Sequence, residues 1–279
     1  MTVRIVTDSA CDLSDAELEE WGISMVPLSI RFGDEEFVDR TEISTDDFYR
    51  RLAASEDLPE TSAPSPGAFV ATFNKLADEG ATAVVCINLS EALSATIQAA
   101  RTAASSDDVS VDVRVINSQS VTGGLGSIVL ACAQAARAGQ TVDEVVALAE
   151  NLRDRTRIYA TLDTLENLKK GGRIGGAQAA FGTMLSIKPL LDLSTGEVVA
   201  AGKQRTRRRS LAWVRDQLEQ AGEVENLAIL HSNADDINEF LDTLSDIPSM
   251  ASSRTNIIGA VIGTHGGPGI IGITYQVPA

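Results

Sequence analysis

His265 is one of two histidines in the chain, and it lies in a stretch of closely spaced glycines. An imidazole can transfer protons near neutral pH or hydrogen-bond an anion. Residues 267–272, Gly-Pro-Gly-Ile-Ile-Gly, also match the G-x-G-x-x-G pattern of dinucleotide-binding turns. That turn requires a helix directly after its glycines, because the helix N-terminus holds the pyrophosphate. An apolar β pattern follows here instead, so we predict no nucleotide site.

Hydroxyl side chains occur at several points where a predicted strand gives way to a helix. They lie in Thr7-Asp8-Ser9, in residues 90–94 and in Asn117-Ser118. In a parallel sheet such junctions meet at one edge, close to helix N-termini. Hydroxyls and free amides there can bind a carboxylate or a phosphate, which predicts an anion site. The alternative is a serine nucleophile served by His265, which would make the protein an acyl hydrolase or transferase.

The cysteines and histidines indicate no metal or redox chemistry. The three cysteines are far apart in the sequence, which argues against a disulfide framework and against a C-x-x-C site. The histidines form no H-x-x-x-H pair, so we predict no zinc site. Neither a Walker A motif nor a G-x-S-x-G elbow is present. We therefore expect no metal and no cofactor.

The elements that must position these residues follow two patterns. Up to about residue 154, short β patterns alternate with helical ones, which is typical of βαβ units around a parallel sheet. From about residue 155, strands and a hairpin dominate. We predict a two-domain α/β protein with a parallel-sheet α/β/α domain over residues 1–154 and an α+β domain with a mixed sheet over residues 155–279. The ligand is expected between the two domains.

Individual elements are predicted from the period of their apolar residues. In the first half, Met25 to Phe32 is predicted as one strand, followed by a turn at Gly33. In the second half we predict helices over residues 206–220 and 236–244, and strands over residues 158–162, 186–193, 197–204, 227–231, 257–262 and 270–277.

The charge of the 279-residue chain is unevenly distributed. The net charge of −16 repels phosphate backbones and argues against nucleic-acid binding. Yet 12 of the 23 basic residues, and only five acidic ones, lie between Arg153 and Arg209. Such asymmetry is typical of an anion site, of a surface for an acidic partner, or of an ordinary solvated face. Apolar runs are shorter than the ~20 residues of a membrane span, and the first residues enter a strand pattern. We expect a cytoplasmic protein without integral membrane association.

Six stretches, spread over nearly the whole chain, resemble the DegV family. Their order and approximate spacing make the resemblance specific, whereas each alone would be a weak signal. They are Thr7-Asp8-Ser9, residues 61–65, residues 89–96, Asn117-Ser118, residues 168–174 and residues 263–269.

The resemblance implies a two-domain bacterial protein that encloses a long-chain fatty acid. Such a protein is the non-catalytic, fatty-acid-binding subunit of fatty acid kinase, and a separate ATP-using catalytic subunit phosphorylates the bound carboxylate, in phospholipid metabolism. By the same resemblance, the carboxylate is bound by Thr61, Ser62, Ser94, Arg205 and His265.

Four positions depart from the residues that are usual in the family. Arg205 is followed by threonine where glycine is usual, Ala95 replaces glycine, and Asn117 replaces aspartate. Glu91 stands where serine is frequent. Its negative charge is expected either to alter the ligand preference or to point outward.

Two further expectations concern the ligand's tail and the partner. The aliphatic-rich segments 181–191 and 257–262 are expected either to line the acyl chain or to form ordinary core. Lys169, Lys170 and Arg173 are expected to dock an acidic kinase surface through electrostatic steering.

Overall fold

The computed structural model describes residues 2–181 and 187–279. Two short 3-10 helices in this part of the chain span Ser9–Cys11 and Pro248–Ser252. The strands are β1 (Val3–Asp8), β2 (Ser24–Val26), β3 (Ser29–Phe32), β4 (Glu35–Val38), β5 (Glu60–Ser62), β6 (Ala83–Asn88), β7 (Asp112–Asn117), β8 (Thr156–Thr161), β9 (Lys188–Asp192), β10 (Val199–Gln204), β11 (Glu225–His231), β12 (Arg254–Ile257) and β13 (Ile271–Gln276). The helices are α1 (Asp15–Trp21), α2 (Thr45–Ala54), α3 (Pro66–Asp78), α4 (Thr96–Ala104), α5 (Thr122–Arg137), α6 (Val142–Arg155), α7 (Glu166–Lys170), α8 (Ala177–Phe181), α9 (Arg207–Ala221), α10 (Ile237–Leu244) and α11 (Ala260–Gly266).

The first large sheet is parallel, with the strand order β2-β1-β6-β7. Because side chains alternate along a strand, its two faces contact different helices. Val84 and Cys86 of β6 pack in a cluster with residues of α3 and α4. Val85 of β6 packs in another cluster with residues of α5 and α6. The predicted α/β/α layering of the N-terminal part is confirmed.

A small antiparallel sheet with the order β4-β3-β5 lies apart from the parallel one. The single strand predicted over Met25 to Phe32 is wrong, because the chain divides at Pro27 into β2 and β3, which belong to different sheets. Proline has no amide hydrogen to continue a ladder. The predicted turn is present between β3 and β4, where Gly33 has a φ of 58°.

The second large sheet is mixed, with the order β10-β9-β8-β13-β11-β12, and β11 runs parallel to β12. Val214 of α9 and Phe240 of α10 cover one face by packing against Ile229 and Ile273. The predicted mixed sheet is confirmed. The exact domain limits stay a prediction, although α6 ends at Arg155 and β8 begins at Thr156.

The predicted strand over residues 257–262 is wrong beyond Ile257, where β12 ends. The Ile258 amide donates to the His231 carbonyl (2.8 Å), and Gly259 then starts α11. Ser186, within a predicted strand, lies outside the described residues. The other elements predicted for the second half end within two residues of the expected limits.

Helix α5 lies between the two large sheets and contacts both. Its first turn can approach the mixed sheet closely because two of its residues are glycines. A Cβ at Gly123 would lie 2.7 Å from Leu230 Cδ2, and one at Gly124 would lie 2.8 Å from Ile158 Cδ1. One continuous hydrophobic core therefore extends from the parallel sheet through α5 to the mixed sheet.

Within the described ranges, the structure contains no helix with the length and apolar character that a membrane crossing requires.

Candidate functional site

An apolar cavity of about 160 Å³ lies between the carboxyl edge of the parallel sheet and the mixed sheet. Its walls are mainly aliphatic, with Leu89 on one side and Leu191 and Leu230 on the other. This lining is typical of small-molecule sites. A few polar side chains also line it, namely Thr61, Ser94, Thr122, Arg173 and His265.

On the mixed sheet, the residues that face the cavity side form three rows across the strands. Adjacent rows are two residues, or about 7 Å, apart along each strand. The first row lies at the end of the cavity next to α11, because a Cβ on Gly266 would meet Ile270 Cδ1. In order from that end, the rows are Leu162 with Ile270, then Ala160 and Gly272 between Leu191 and Leu230, then Leu193, Ile158 and Thr274.

Thr61 and His265 form the centre of the polar end. Thr61 Oγ1 lies 2.8 Å from His265 Nε2. Strand β5 positions Thr61 through its pairing with Ile30 of β3, and the last turn of α11 carries the histidine. The other ring nitrogen, Nδ1, is buried and has no hydrogen-bond partner among the described residues. Among the described residues, a single hydrogen bond therefore holds the ring.

His265 is a neutral hydrogen-bonding group at pH 7. Burial, and next the positive charge of Arg173, lower its pKa to about 4. A base this weak is poorly suited to deprotonate a serine hydroxyl. Its hydrogen-bond partner is also Thr61, whereas Ser94 Oγ lies 2.9 Å from Thr96 Oγ1. Among the described residues, His265 therefore makes no contact with a serine of the kind that an acyl hydrolase uses.

Arg173 provides the positive charge at this end of the cavity. Its Nη1 donates to the Gly171 carbonyl (2.7 Å) and its Nε to the Leu93 carbonyl (3.3 Å). These bonds connect the segment after α7 to the loop that carries Ser94. In the part of the chain that the structure describes, no carboxylate pairs with this guanidinium. A half-buried guanidinium in this position suits an anionic ligand.

Of the hydroxyls at the strand-to-helix junctions, Ser94 lines the cavity, and others make bonds within the protein. Ser9 Oγ accepts from the Leu28 amide (3.2 Å), and Ser90 Oγ donates to the Gly196 carbonyl (2.7 Å). Ser118 Oγ accepts from the Ser120 amide (3.1 Å). The cavity lies at the sheet edge where the sequence predicts an anion site, but most of the individual hydroxyls there stabilise loops.

The residues that depart from the family pattern have clear positions. Glu91 is exposed and pairs with Arg101 (2.8 Å), so its side chain points outward. Ala95 lines the cavity. Asn117 Oδ1 accepts from the Glu91 and Gln119 amides, which makes the residue part of the loop framework.

Other predicted site residues lie away from the cavity walls. Ser62 and Arg205 are exposed and do not line the cavity. Lys169 and Lys170 are exposed at the end of α7, whereas Arg173, grouped with them as a docking residue, lines the cavity. The proposed roles of all five residues stay predictions.

The segments predicted as possible lining contribute unequally. Phe181 is buried but does not line the cavity, and residues 182–186 lie outside the described residues. The residues of the two segments that do line the cavity are Leu191, Ile258, Val261 and Ile262.

Sequence reasoning missed two polar residues of the lining. Arg173 was predicted to dock the kinase, and the glycine pair before it does not indicate a side chain that faces inward. No role was predicted for Thr122. Among the described residues, no cluster of His, Cys, Asp or Glu could hold a metal ion.

Comparison with known proteins agrees with this architecture. The family model described as "Uncharacterised protein, DegV family" matches residues 2–277. A DegV domain-containing protein of Streptomyces coelicolor is 39% identical over 98% of both chains. A Thermus thermophilus DegV family structure, titled for fatty acid binding, is 31% identical with a TM-score of 0.90 over 100% of both chains. A stearic-acid-binding protein from Eubacterium ventriosum is 26% identical with a TM-score of 0.87 over 98% of both chains. These matches confirm the resemblance found in the sequence: the chain belongs to the DegV family.

Proposed function

We propose that this protein binds a long-chain fatty acid and presents the carboxylate to a separate ATP-dependent kinase, which forms the acyl phosphate. The observation that carries the proposal is an aliphatic cavity with hydroxyls, an imidazole and a guanidinium gathered at one end. Within the described ranges, no carboxylate pairs with that guanidinium. An amphipathic ligand with one anionic group matches this distribution of polarity.

The carboxylate lies at the polar end in this proposal. A carboxylate in an apolar environment is costly unless it is hydrogen-bonded and paired. Thr61 and Ser94 can donate hydroxyl hydrogens to it, and Arg173 can supply the opposite charge. In this proposal neutral His265 donates its Nε2 hydrogen to Thr61 Oγ1, which leaves the threonine hydrogen free for the carboxylate.

The acyl chain extends over the rows of the mixed sheet. Ala160 and Gly272 in the second row have the smallest side chains there, and they leave a trough between Leu191 and Leu230. Burial of an alkyl chain contributes about 0.8 kcal/mol per CH₂ group, so most of the affinity comes from this trough. The Thermus and Eubacterium relatives, which are described as binding fatty acid and stearic acid, support this choice of ligand.

The protein has no catalytic role in this proposal. The weakly basic His265, whose hydrogen-bond partner in the described part of the chain is Thr61, supports a carrier over the hydrolase alternative. ATP and metal would bind to the kinase, and the pair would act in the cytoplasm, where the acyl phosphate feeds phospholipid metabolism.

Native mass spectrometry of the purified protein, followed by denaturing lipid release, tests the binding step. We expect a co-purified fatty acid, and weaker retention in Thr61→Val and Ser94→Ala, because each loses a charge-assisted hydrogen bond of about 1.5–3 kcal/mol. Thr102→Val, which alters an exposed hydroxyl on α4, is the matched control and should retain lipid. A tightly folded wild-type protein that neither carries nor takes up fatty acid would refute the proposal.

The kinase-docking step has its own test. Because Lys169 and Lys170 are exposed next to the cavity segment that carries Arg173, their double replacement by glutamate should weaken binding of the kinase subunit at low ionic strength and reduce its salt dependence. Lys75→Glu on α3 is the control. Unchanged kinase binding by the double variant would remove these two residues from the docking surface, without affecting the fatty-acid assay.

A further inference from the structure

Thr122 adopts a backbone conformation that is unusual for its type. It is the first residue of α5 and has a φ of 50°. A β-branched residue rarely occupies this left-handed region, and such strain is concentrated at functional sites. Val121, the N-cap residue, provides no side-chain hydrogen bond to the helix start.

The side chain of Thr122 lines the cavity and lacks a partner. The residue is 2% exposed, and its Oγ1 is buried without a hydrogen bond to any described residue. A buried hydroxyl without a partner is destabilising, and native structures satisfy such groups with protein, water or ligand. The Thr122 hydroxyl can therefore bind an oxygen or nitrogen atom of a ligand in the cavity.

Two more unpaired hydroxyls lie close behind this position. Ser120 Oγ and Thr274 Oγ1 are both buried without a hydrogen-bond partner among the described residues. A Cβ on Gly124 would meet the Ser120 hydroxyl and would lie 3.1 Å from Thr274 Oγ1. The start of α5 is thus a buried polar region, and the absence of a side chain at Gly124 keeps it open.

This polar region is distant from the carboxylate end. The first turn of α5 contacts Leu230 in the second row, and Ile158 and Thr274 in the third row. Those rows lie roughly 7–14 Å beyond the first row along the strands. An extended acyl chain that starts at Thr61 and His265 would pass this region at its middle carbons.

We propose that Thr122 is a second polar anchor, which binds a hydroxyl group carried partway along the acyl chain. The cavity then selects hydroxylated fatty acids over unsubstituted ones. A hydroxyl group on the ligand suits this position because it can accept a hydrogen bond from Thr122 Oγ1. It can also donate its own hydrogen to the oxygen of Ser120 or Thr274. The inference rests on the proposed fatty-acid binding and adds a substrate class to it.

The test compares stearic acid with a series of hydroxystearic acids whose hydroxyl moves along the chain. Dissociation constants are measured for the full-length, delipidated protein. We expect acids with a mid-chain hydroxyl group to bind about fivefold or more tightly than stearic acid. This factor is the effect of one net hydrogen bond. Thr122→Val, which keeps the branched shape, should abolish this gain, so that its dissociation constants for hydroxylated and plain acids agree within about twofold. Thr122→Ser should keep the gain.

Thr122→Gly is the second variant without the hydroxyl, because glycine tolerates the positive φ and the fold is then preserved. Equal affinity for hydroxylated and plain acids in the wild-type protein would overturn the inference, since water then satisfies Thr122. So would a gain that survives in both Thr122→Val and Thr122→Gly. If the wild-type protein binds neither stearic acid nor any hydroxystearic acid, the proposed function itself fails.

Discussion

His265 is surrounded by groups that disfavour its protonation. The ring is largely buried among aliphatic side chains, and Arg173 is the nearby positive charge. Its hydrogen bond to Thr61 can form with either neutral tautomer. The residue therefore acts through its neutral form, and its protonation state reports directly on the environment of the cavity.

The first prediction is that His265 stays neutral from pH 8 to pH 5. Its pKa, lowered to about 4, can be measured by NMR of the imidazole nitrogens in a His231→Gln variant, in which it is the remaining histidine. The unfolded protein should titrate near 6.5. A folded-state midpoint near 6.5 would contradict the buried environment.

The sign of the accompanying stability change follows from linkage. Because the pKa is lower in the folded than in the unfolded state, the unfolded protein binds a proton first as the pH falls. The stability contribution of neutral His265 is thus present above about pH 6.5 and is lost as the pH falls toward about 4. Bound carboxylate would raise the pKa, because an opposite charge favours the imidazolium.

At the scale of elements, the end of α7 determines where the histidine ring sits. A Cβ at Gly171 would lie 2.5 Å from His265 Nδ1 and 3.0 Å from the Asn167 carbonyl oxygen. Glycine is required here for close approach, since the backbone at Gly171 is itself helical. The absence of a side chain at Gly171 therefore lets α7 and α11 pack together without displacing the ring.

We predict that Gly171→Ala displaces the ring and weakens fatty-acid retention, with a strain of about 1–3 kcal/mol. Gly176→Ala in the same glycine-rich segment is the matched control, because a Cβ there has nothing within 4 Å. Lipid retention by native mass spectrometry and thermal unfolding would be measured for both. Full retention by Gly171→Ala would show that the ring position does not matter for binding.

The order of most elements could be predicted from the sequence, because their apolar periods were clear. Two failures have identifiable causes. Four of the six residues over 257–262 are β-branched, and such a short apolar run fits a strand or a buried helix. The contact between Ile258 and His231, just before α11, is long-range. The division at Pro27, by contrast, had a signal in the proline itself.

At the scale of the whole molecule, the proposed ligand lies between two sheets that share one core. A ligand that binds only the folded state stabilises it according to its concentration relative to Kd. Lipid-loaded protein should therefore unfold as a unit, at a higher temperature than delipidated protein.

We predict that stearic acid at about 100 times its Kd adds about 2.7 kcal/mol and raises Tm by several degrees. Octadecanol at the same concentration, which has the same chain without the carboxylate, should raise Tm less. Differential scanning calorimetry of the delipidated protein with each ligand provides the measurement. Equal shifts for acid and alcohol would mean that the polar end contributes no affinity.

The candidate site could be predicted only in part, because the direction in which a side chain points depends on tertiary packing. The resemblance identified Thr61, Ser94 and His265, and the structure brings these three to one cavity. It could not distinguish Arg173, which faces the cavity, from Arg205, which is exposed. Both lie in basic turns, and the sequence of a turn does not reveal which arginine side chain faces the cavity.

The walls of the cavity belong to the main hydrophobic core, since Leu89, Ile158, Leu191 and Leu230 occur in both. Any substitution that reshapes the space for a ligand therefore also alters the packing on which folding depends. Large-to-small changes at such positions destabilise by about 2–5 kcal/mol, a large share of a domain's stability. A change of acyl-chain preference during evolution, or in the laboratory, would accordingly require paired substitutions, one that opens the space and one that restores the packing.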